Sequence, residues 1–403
     1  MTNTEQTPEH IRTPHLRPIQ PVPMMQDGRT IVVLRDPSML VDQTMAVPAP
    51  MMAILQRFRG EETIDDIASS TGAPLDKLIE LIENLDRLGL IWGPTFNSLE
   101  DQLRERVESA GFFPKTASAS LGDTDEACRS RLEELFDGIE DPELEGQVVG
   151  IVAPHLDYER GARNYAAAYD VFRSMDRPDR VVVLGTNHFG IGDGVVLSPI
   201  GFETPMGVCP VDRPVIDHLV KTHGRALIID QLDHMGEHSI ELHLPWLQYC
   251  FGPDVPIVAA LVPSPLDDPV EDNDDRTDTT TFIVALREAL DAVGGTTLFV
   301  ASSDLSHVGP QFGEPRPVDE QRQIDVERHD RDMLAKYVEG DPESFVEAFK
   351  WNRNPSRWCS IGNMAATLEL ARPTTVELLE YHQATDEQGN VMVSSASMVL
   401  LNV

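Results

Sequence analysis

Apolar residues fall in short unbroken blocks through the later part of the chain, at 149–153, 180–184, 257–262 and 297–301. Continuous apolar runs of this length, bounded by turn residues, read as strands buried on both faces. Helical spacing occupies 160–174 and 280–293. The alternation predicts an α/β domain over 104–403, with a mostly parallel sheet covered by helices on both faces. Segments 376–381 and 391–401, joined through Glu387-Gln388-Gly389-Asn390, read as a terminal hairpin. Residues 116–120 (Thr-Ala-Ser-Ala-Ser) read as a small-residue linker, and the acidic stretch 267–275 as a solvated loop.

The earlier part follows another rhythm. Residues 1–17 are polar and aperiodic, as expected of a disordered lead-in. A strand at 30–34 precedes a helix at 48–58, a short helix from Thr63, a turn at Thr71-Gly72-Ala73-Pro74 and an amphipathic helix at 75–88. The last carries Leu75, Leu78, Ile79, Ile82 and Leu85 on one face, and Gly89-Leu90-Ile91-Trp92 would start a wing. This order, over 18–95, resembles the PqqD-like and winged-helix modules, a small α+β fold; some members bind peptides by adding a strand to a sheet edge. Six basic and eleven acidic residues between Pro18 and Thr95 leave a net −5, where a duplex reader needs a basic stripe. The module is therefore expected to hold a peptide, or to pack on the larger domain or a second copy of the chain, and not to bind DNA.

Composition narrows the function classes. The 403 residues are 41% hydrophobic and 25% charged, ordinary for a globular chain with more than one core. With 32 basic and 67 acidic residues the formal charge is −35, which opposes nucleic-acid phosphate and anionic lipid as general partners. No apolar run is long enough to span a bilayer, and the first residues lack a basic region followed by an apolar core, so a cytoplasmic protein is expected. Cys128, Cys209, Cys250 and Cys359 form no CxxC pair, which argues against a zinc knuckle or a disulfide scaffold.

Polar groups that a core would not want gather where the apolar blocks end. His155 closes Val149-Gly150-Ile151-Val152-Ala153-Pro154, and His188 closes Val181-Val182-Val183-Leu184-Gly185-Thr186-Asn187. Ligands of open parallel sheets sit beyond the carboxyl ends of the strands, so both imidazoles would face one crevice. Cys359 precedes Ile361-Gly362-Asn363-Met364, a helix start whose N–H groups favour an anionic thiolate. Two imidazoles and a thiolate suit iron, copper or zinc and leave positions open for oxygen, water or substrate. Two further segments complete the set: Glu237-His238-Ser239-Ile240-Glu241-Leu242-His243 and Ser302-Ser303-Asp304-Leu305-Ser306-His307.

In this order the five segments resemble the Memo family, including the proteins called AmmeMemoRadiSam system protein B. The resemblance runs from about Arg106 to Val403. It implies a fold similar to the class III extradiol dioxygenases, with His155, His188 and Cys359 as the metal ligands and Asp304 and His307 in the same pocket. Glu237 and His238 fall in the family's Glu-His-Ser-Ile-Glu segment; His238 or His307 would act as acid/base groups or as donors backing the ligands. Thiolate in place of carboxylate argues against extradiol ring cleavage. The resemblance further implies an AMMECR-type protein and a radical SAM enzyme as partners. Three readings follow: a metal-dependent redox enzyme acting on an unidentified small molecule; a non-catalytic cleft that captures a peptide; and, more weakly, Cys359 as a nucleophile with His155 or His307 as base.

Overall fold

The structure, a computed structural model, describes residues 7–36, 38–41, 43–188, 194–266 and 275–403. The chain divides into two compact units, Met1–Gly111 and Phe112–Val403.

The first unit contains an antiparallel sheet of β1 (Gln20–Gln26), β2 (Arg29–Arg35) and β3 (Met45–Pro48), in that order. Three helices follow, Met52–Leu55, Ile64–Thr71 and Leu75–Arg87. Thr63 caps the second by accepting from the Asp66 N–H. Leu78, Leu81, Ile82 and Leu85 recur at helical spacing, are buried, and pack with Val32, Leu34 and Val47 of the sheet. Part of the expected lead-in is built into this core: Glu9–Arg12 forms a helical turn with Ile11 buried, and Leu16 bridges Ile91. Among the described residues no two-stranded wing follows the third helix; Ile91 makes only that bridge, and Pro94–Ala110 runs as one helix across the expected boundary between 95 and 104.

The second unit is α/β. Its strands are β4 (Phe112–Phe113), β5 (Gln147–Ala153), β6 (Arg180–Thr186), β7 (Val196–Leu197), β8 (Gly201–Thr204), β9 (Gly207–Cys209), β10 (Ile257–Val262), β11 (Thr297–Ser302), β12 (Asp304–Val308), β13 (Thr375–Thr385) and β14 (Met392–Asn402). The main sheet has the order β12-β14-β5-β11-β6-β10-β7, with β13 also paired to β14; β4, β8 and β9 form a small separate sheet. In the main sheet β5, β11, β6 and β10 are mutually parallel. The terminal hairpin, β12 and β7 pair antiparallel, so the sheet is mixed where a mostly parallel one was expected. Strand β12, which carries Asp304 and His307, was not anticipated.

Alternate residues of β14 show how both faces are covered. Ala396, Met398 and Leu400 pack with residues of the helices Glu320–Val338, Pro342–Asn352 and Ile361–Ala371. Val399 and Leu401 pack with Val171 of the helix Tyr158–Arg173. The helices Arg213–His223 and Thr279–Val293 bury Val182, Leu184, Val258 and Ala260. Residues 116–120 are no linker: the one-turn helix Ala117–Leu121 lies there. The acidic stretch lies outside the described residues from 267 to 274. No helix among the described residues is long and apolar enough to cross a membrane.

Candidate metal centre

Strands β5, β11 and β6 are neighbours and parallel, with Ser302 level with Ala153 and Ala301 level with Leu184. Their carboxyl ends therefore share one edge, and each is followed two positions later by a polar residue: His155, Asp304 and His188. Two other pieces close over this edge. The short helix His238–Glu241 packs on β6 because residue 185 is glycine; a Cβ there would lie 2.5 Å from Ser239 Oγ. Ser239 then donates its hydroxyl to the Thr186 carbonyl and accepts from the Thr186 N–H. The helix Ile361–Ala371 approaches the end of β10 as closely, since a Cβ at Gly362 would lie 2.1 Å from the Pro263 carbonyl oxygen. Asn363 in its first turn donates to the Ser302 carbonyl, and Cys359 just before it faces the pocket.

Cys359 Sγ lies 3.4 Å from His155 Nε2, and the His188 ring also hydrogen-bonds the Cys359 side chain. The three residues singled out in the sequence are thus brought together. Asp304 joins them: Oδ1 accepts from the His155 and Leu156 N–H groups, and Oδ2 is 3.6 Å from His155 Nε2. His307 sits on β12 with Nδ1 donating to the carbonyls of Leu305 and Arg357. Glu237 is buried behind the pocket and accepts from the His188 backbone and ring N–H groups and from the Ser239 N–H. The sequence had not distinguished His238 from the backing residues. Its ring, with those of His155 and His188, supplies three donor atoms within 4.8 Å of one another.

Each imidazole is tuned by what lies behind it. Burial holds His155 well below its ordinary value, reinforced by His188 and His238, and its Nδ1 hydrogen-bonds Ser302, leaving Nε2 toward the thiol. Burial would also lower His188, but the Glu237 carboxylate and the Cys359 side chain outweigh it and the ring is held well above 6.5. Burial opposes ionisation of Glu237 too; His188 and His238 overcome it and bring the carboxyl down to about 2. His238 is lowered by burial, partly offset by Glu237, and His307 is lowered by burial to about 4. Burial lifts the Asp304 carboxyl to about 7 against the two N–H groups it accepts. The pocket at neutral pH therefore offers neutral imidazoles, one imidazolium–carboxylate pair and a carboxyl able to hold a proton. Histidine and thiolate donors with backed ring nitrogens are a set that first-row metals accept.

A family profile described as Memo-like protein matches residues 114–399. The chain belongs to the Memo-like family. A MEMO1 family protein of Methanosarcina acetivorans is 30% identical over 293 residues, covering 72% of this chain and 95% of its own. One from Methanosarcina barkeri is 29% identical over 274 residues, 67% of this chain and 92% of the relative. The Aquifex aeolicus member is 25% identical over 378 residues, 91% of this chain and 95% of its own, which carries the likeness ahead of residue 114.

The Glu237–His243 segment of the Memo-like unit resolves into separate jobs. Glu237 backs the pocket. Glu241 faces away from it and accepts from the N–H groups of Thr116, Ala117 and Ser118 and from both hydroxyls there, so the supposed linker is a cradle that pins the His238 helix. His243 is fully buried, hydrogen-bonded to the Tyr169 hydroxyl, and lowered by burial to about 3. Neither residue's backbone spacing announces this division; it depends on partners over a hundred or seventy positions distant.

Proposed function

We propose that this Memo-like chain is a metal-dependent redox enzyme in which His155, His188 and Cys359 hold iron or copper, with zinc as an allowed substitute. The convergence of Cys359 Sγ on His155 Nε2 at 3.4 Å carries the reading, because the thiol and the two imidazoles come from three distant segments and meet only at the strand ends. Iron or copper, when bound, would supply a one-electron couple and open positions for oxygen or a small substrate, whereas zinc would occupy the site without redox chemistry. The chain's own groups do the rest. Ser302 and Glu237 hold His155 and His188 through their Nδ1 atoms; Nε2 of neutral His155 is presented directly, and His188, an imidazolium without metal, would give up its Nε2 proton on binding the ion. Asp304, lifted to about 7, is poised to hold or release a proton at Oδ2, next to His155 Nε2. His307 stays neutral, with Nδ1 committed to two carbonyls and Nε2 left as the basic nitrogen.

Anaerobic purification followed by elemental analysis and an absorption spectrum tests this. The expected result is stoichiometric iron or copper with a thiolate charge-transfer band. A protein that neither retains nor takes up a first-row metal would leave the cleft as a peptide-binding surface.

A further inference from the structure

The pocket contains more donors than the three assigned above, and the extra one lies against a carboxylate that already holds one of them. Glu237 Oε1 lies 3.1 Å from His188 Nδ1 and 3.5 Å from His238 Nδ1. One buried carboxylate thus lies beside the Nδ1 atoms of both rings. The two rings stack at 18° with centroids 5.0 Å apart, and His155 stands nearly perpendicular to both, 4.9 Å and 5.5 Å away. His155 has its own backing in Ser302. Metal-ligating imidazoles ordinarily have their second nitrogen held by a carboxylate or carbonyl; the His155 and His188 rings meet that description, and His238 has the Glu237 carboxylate 3.5 Å from its Nδ1. Their donor atoms lie within 4.8 Å of one another, a span one ion can collect with small side-chain movement.

We propose that the site holds its ion through two overlapping donor sets, His155/His188/Cys359 and His155/His188/His238, and that His238 retains the metal when the Cys359 thiolate is withdrawn. The inference rests on the metal reading above and adds to it a ligand. Its chemical consequence is a change of preference: the thiolate set suits soft ions such as copper(I), whereas three imidazoles suit zinc, copper(II) or iron(II). Capping or oxidising one sulfur would then alter the ion's surroundings without emptying the site.

Cobalt(II) added to the full-length apo chain separates the two sets by spectrum. The wild-type chain should bind one equivalent with a thiolate-to-cobalt charge-transfer band. Cys359→Ser should still bind one equivalent, without that band, and more weakly by at least about tenfold, the low end for losing even a backing partner. His238→Ala alone should keep the band and change affinity little; added to Cys359→Ser it should cost at least a further tenfold or so. Cobalt binding by Cys359→Ser as poor as by His155→Ala, or an equal effect of His238→Ala in both backgrounds, overturns the proposal. Methylthio capping of Cys359 in the folded wild-type chain gives the same comparison without a substitution, and thermal melts confirm the fold of each variant. A wild-type chain that binds no cobalt would remove the metal reading itself.

Discussion

Glu237 and Asp330 are two buried carboxylates in the same unit, and they are stabilised in opposite ways. Glu237 faces ionisable partners: His188 and His238 overcome burial and hold it at about 2. Among the described residues Asp330 accepts from neutral donors. Its Oδ1 accepts from the Ser306 hydroxyl at 2.5 Å and the Trp358 indole N–H at 2.8 Å, and its Oδ2 from the Tyr381 and Ser394 hydroxyls at 2.8 and 2.5 Å. Those four hydrogen bonds do not outweigh burial, and Asp330 is pushed above the ordinary carboxylate range. The difference separates a charge kept for chemistry from a polar rivet. Glu237 supplies a field at the pocket; Asp330 ties the helix Glu320–Val338 to β12, β13, β14 and the segment before Cys359.

The comparison is most exposed to breaking at Asp330. Asp330→Ala leaves buried donors without a partner at about 1–3 kcal/mol each; Trp358 keeps Ser306 Oγ at 3.0 Å, so the net loss is expected near about 3 kcal/mol. Urea unfolding of the apo chain measures it, with zinc affinity of the folded protein changing far less. A variant of unchanged stability that loses zinc would show Asp330 to be part of the site. Glu237→Gln should act on the metal as well as on stability: zinc affinity falls by about 10–100-fold, as for other carboxylates backing a ligating imidazole. Equilibrium competition with a chelator reads the affinity, and a variant with wild-type affinity would strip Glu237 of its backing role.

Why one carboxylate was legible in the sequence and the other was not follows from the same geometry. The apolar blocks predict β5, β6, β10 and β11 within one or two residues, and strand ends mark His155 and His188, because burial on both faces writes a continuous signal into adjacent positions. Glu237 was found by its neighbours in a motif. Asp330 sits in Glu-Arg-His-Asp-Arg-Asp, which reads as a solvated helix face, and its four partners lie 24, 28, 51 and 64 positions away. Likewise His238 as a donor depends on His188, whose contact with Glu237 spans 49 positions. Local pattern records which face is buried; it does not record which polar groups meet across the core. Strand β12 was missed because its five residues, Asp-Leu-Ser-His-Val, owe their extended pairing to β14 and not to an apolar run.

The smallest expected effect is the most direct test of the contrast, because the two carboxyls should give pH slopes of opposite sign. Glu237 has a folded pKa of about 2 against roughly 4.3 when unfolded. The unfolded chain binds the extra proton between those values, so this group's stabilisation is complete above about 4.3 and is lost as pH falls toward about 2. Asp330 has a folded pKa above its unfolded value of roughly 3.9. Here the folded chain binds the extra proton, so stability falls as pH rises from about 3.9 through the raised folded value. Each group contributes at most about 1.4 kcal/mol per pH unit within its window. Urea midpoints of the apo chain compared with Glu237→Gln should therefore show a wild-type advantage that shrinks from pH 4.5 to pH 3. Compared with Asp330→Asn, the wild-type advantage should instead shrink from pH 4 upward. Slopes of the same sign for both pairs would mean that the imidazoles do not hold Glu237 ionised, and the distinction between the two carboxylates would collapse.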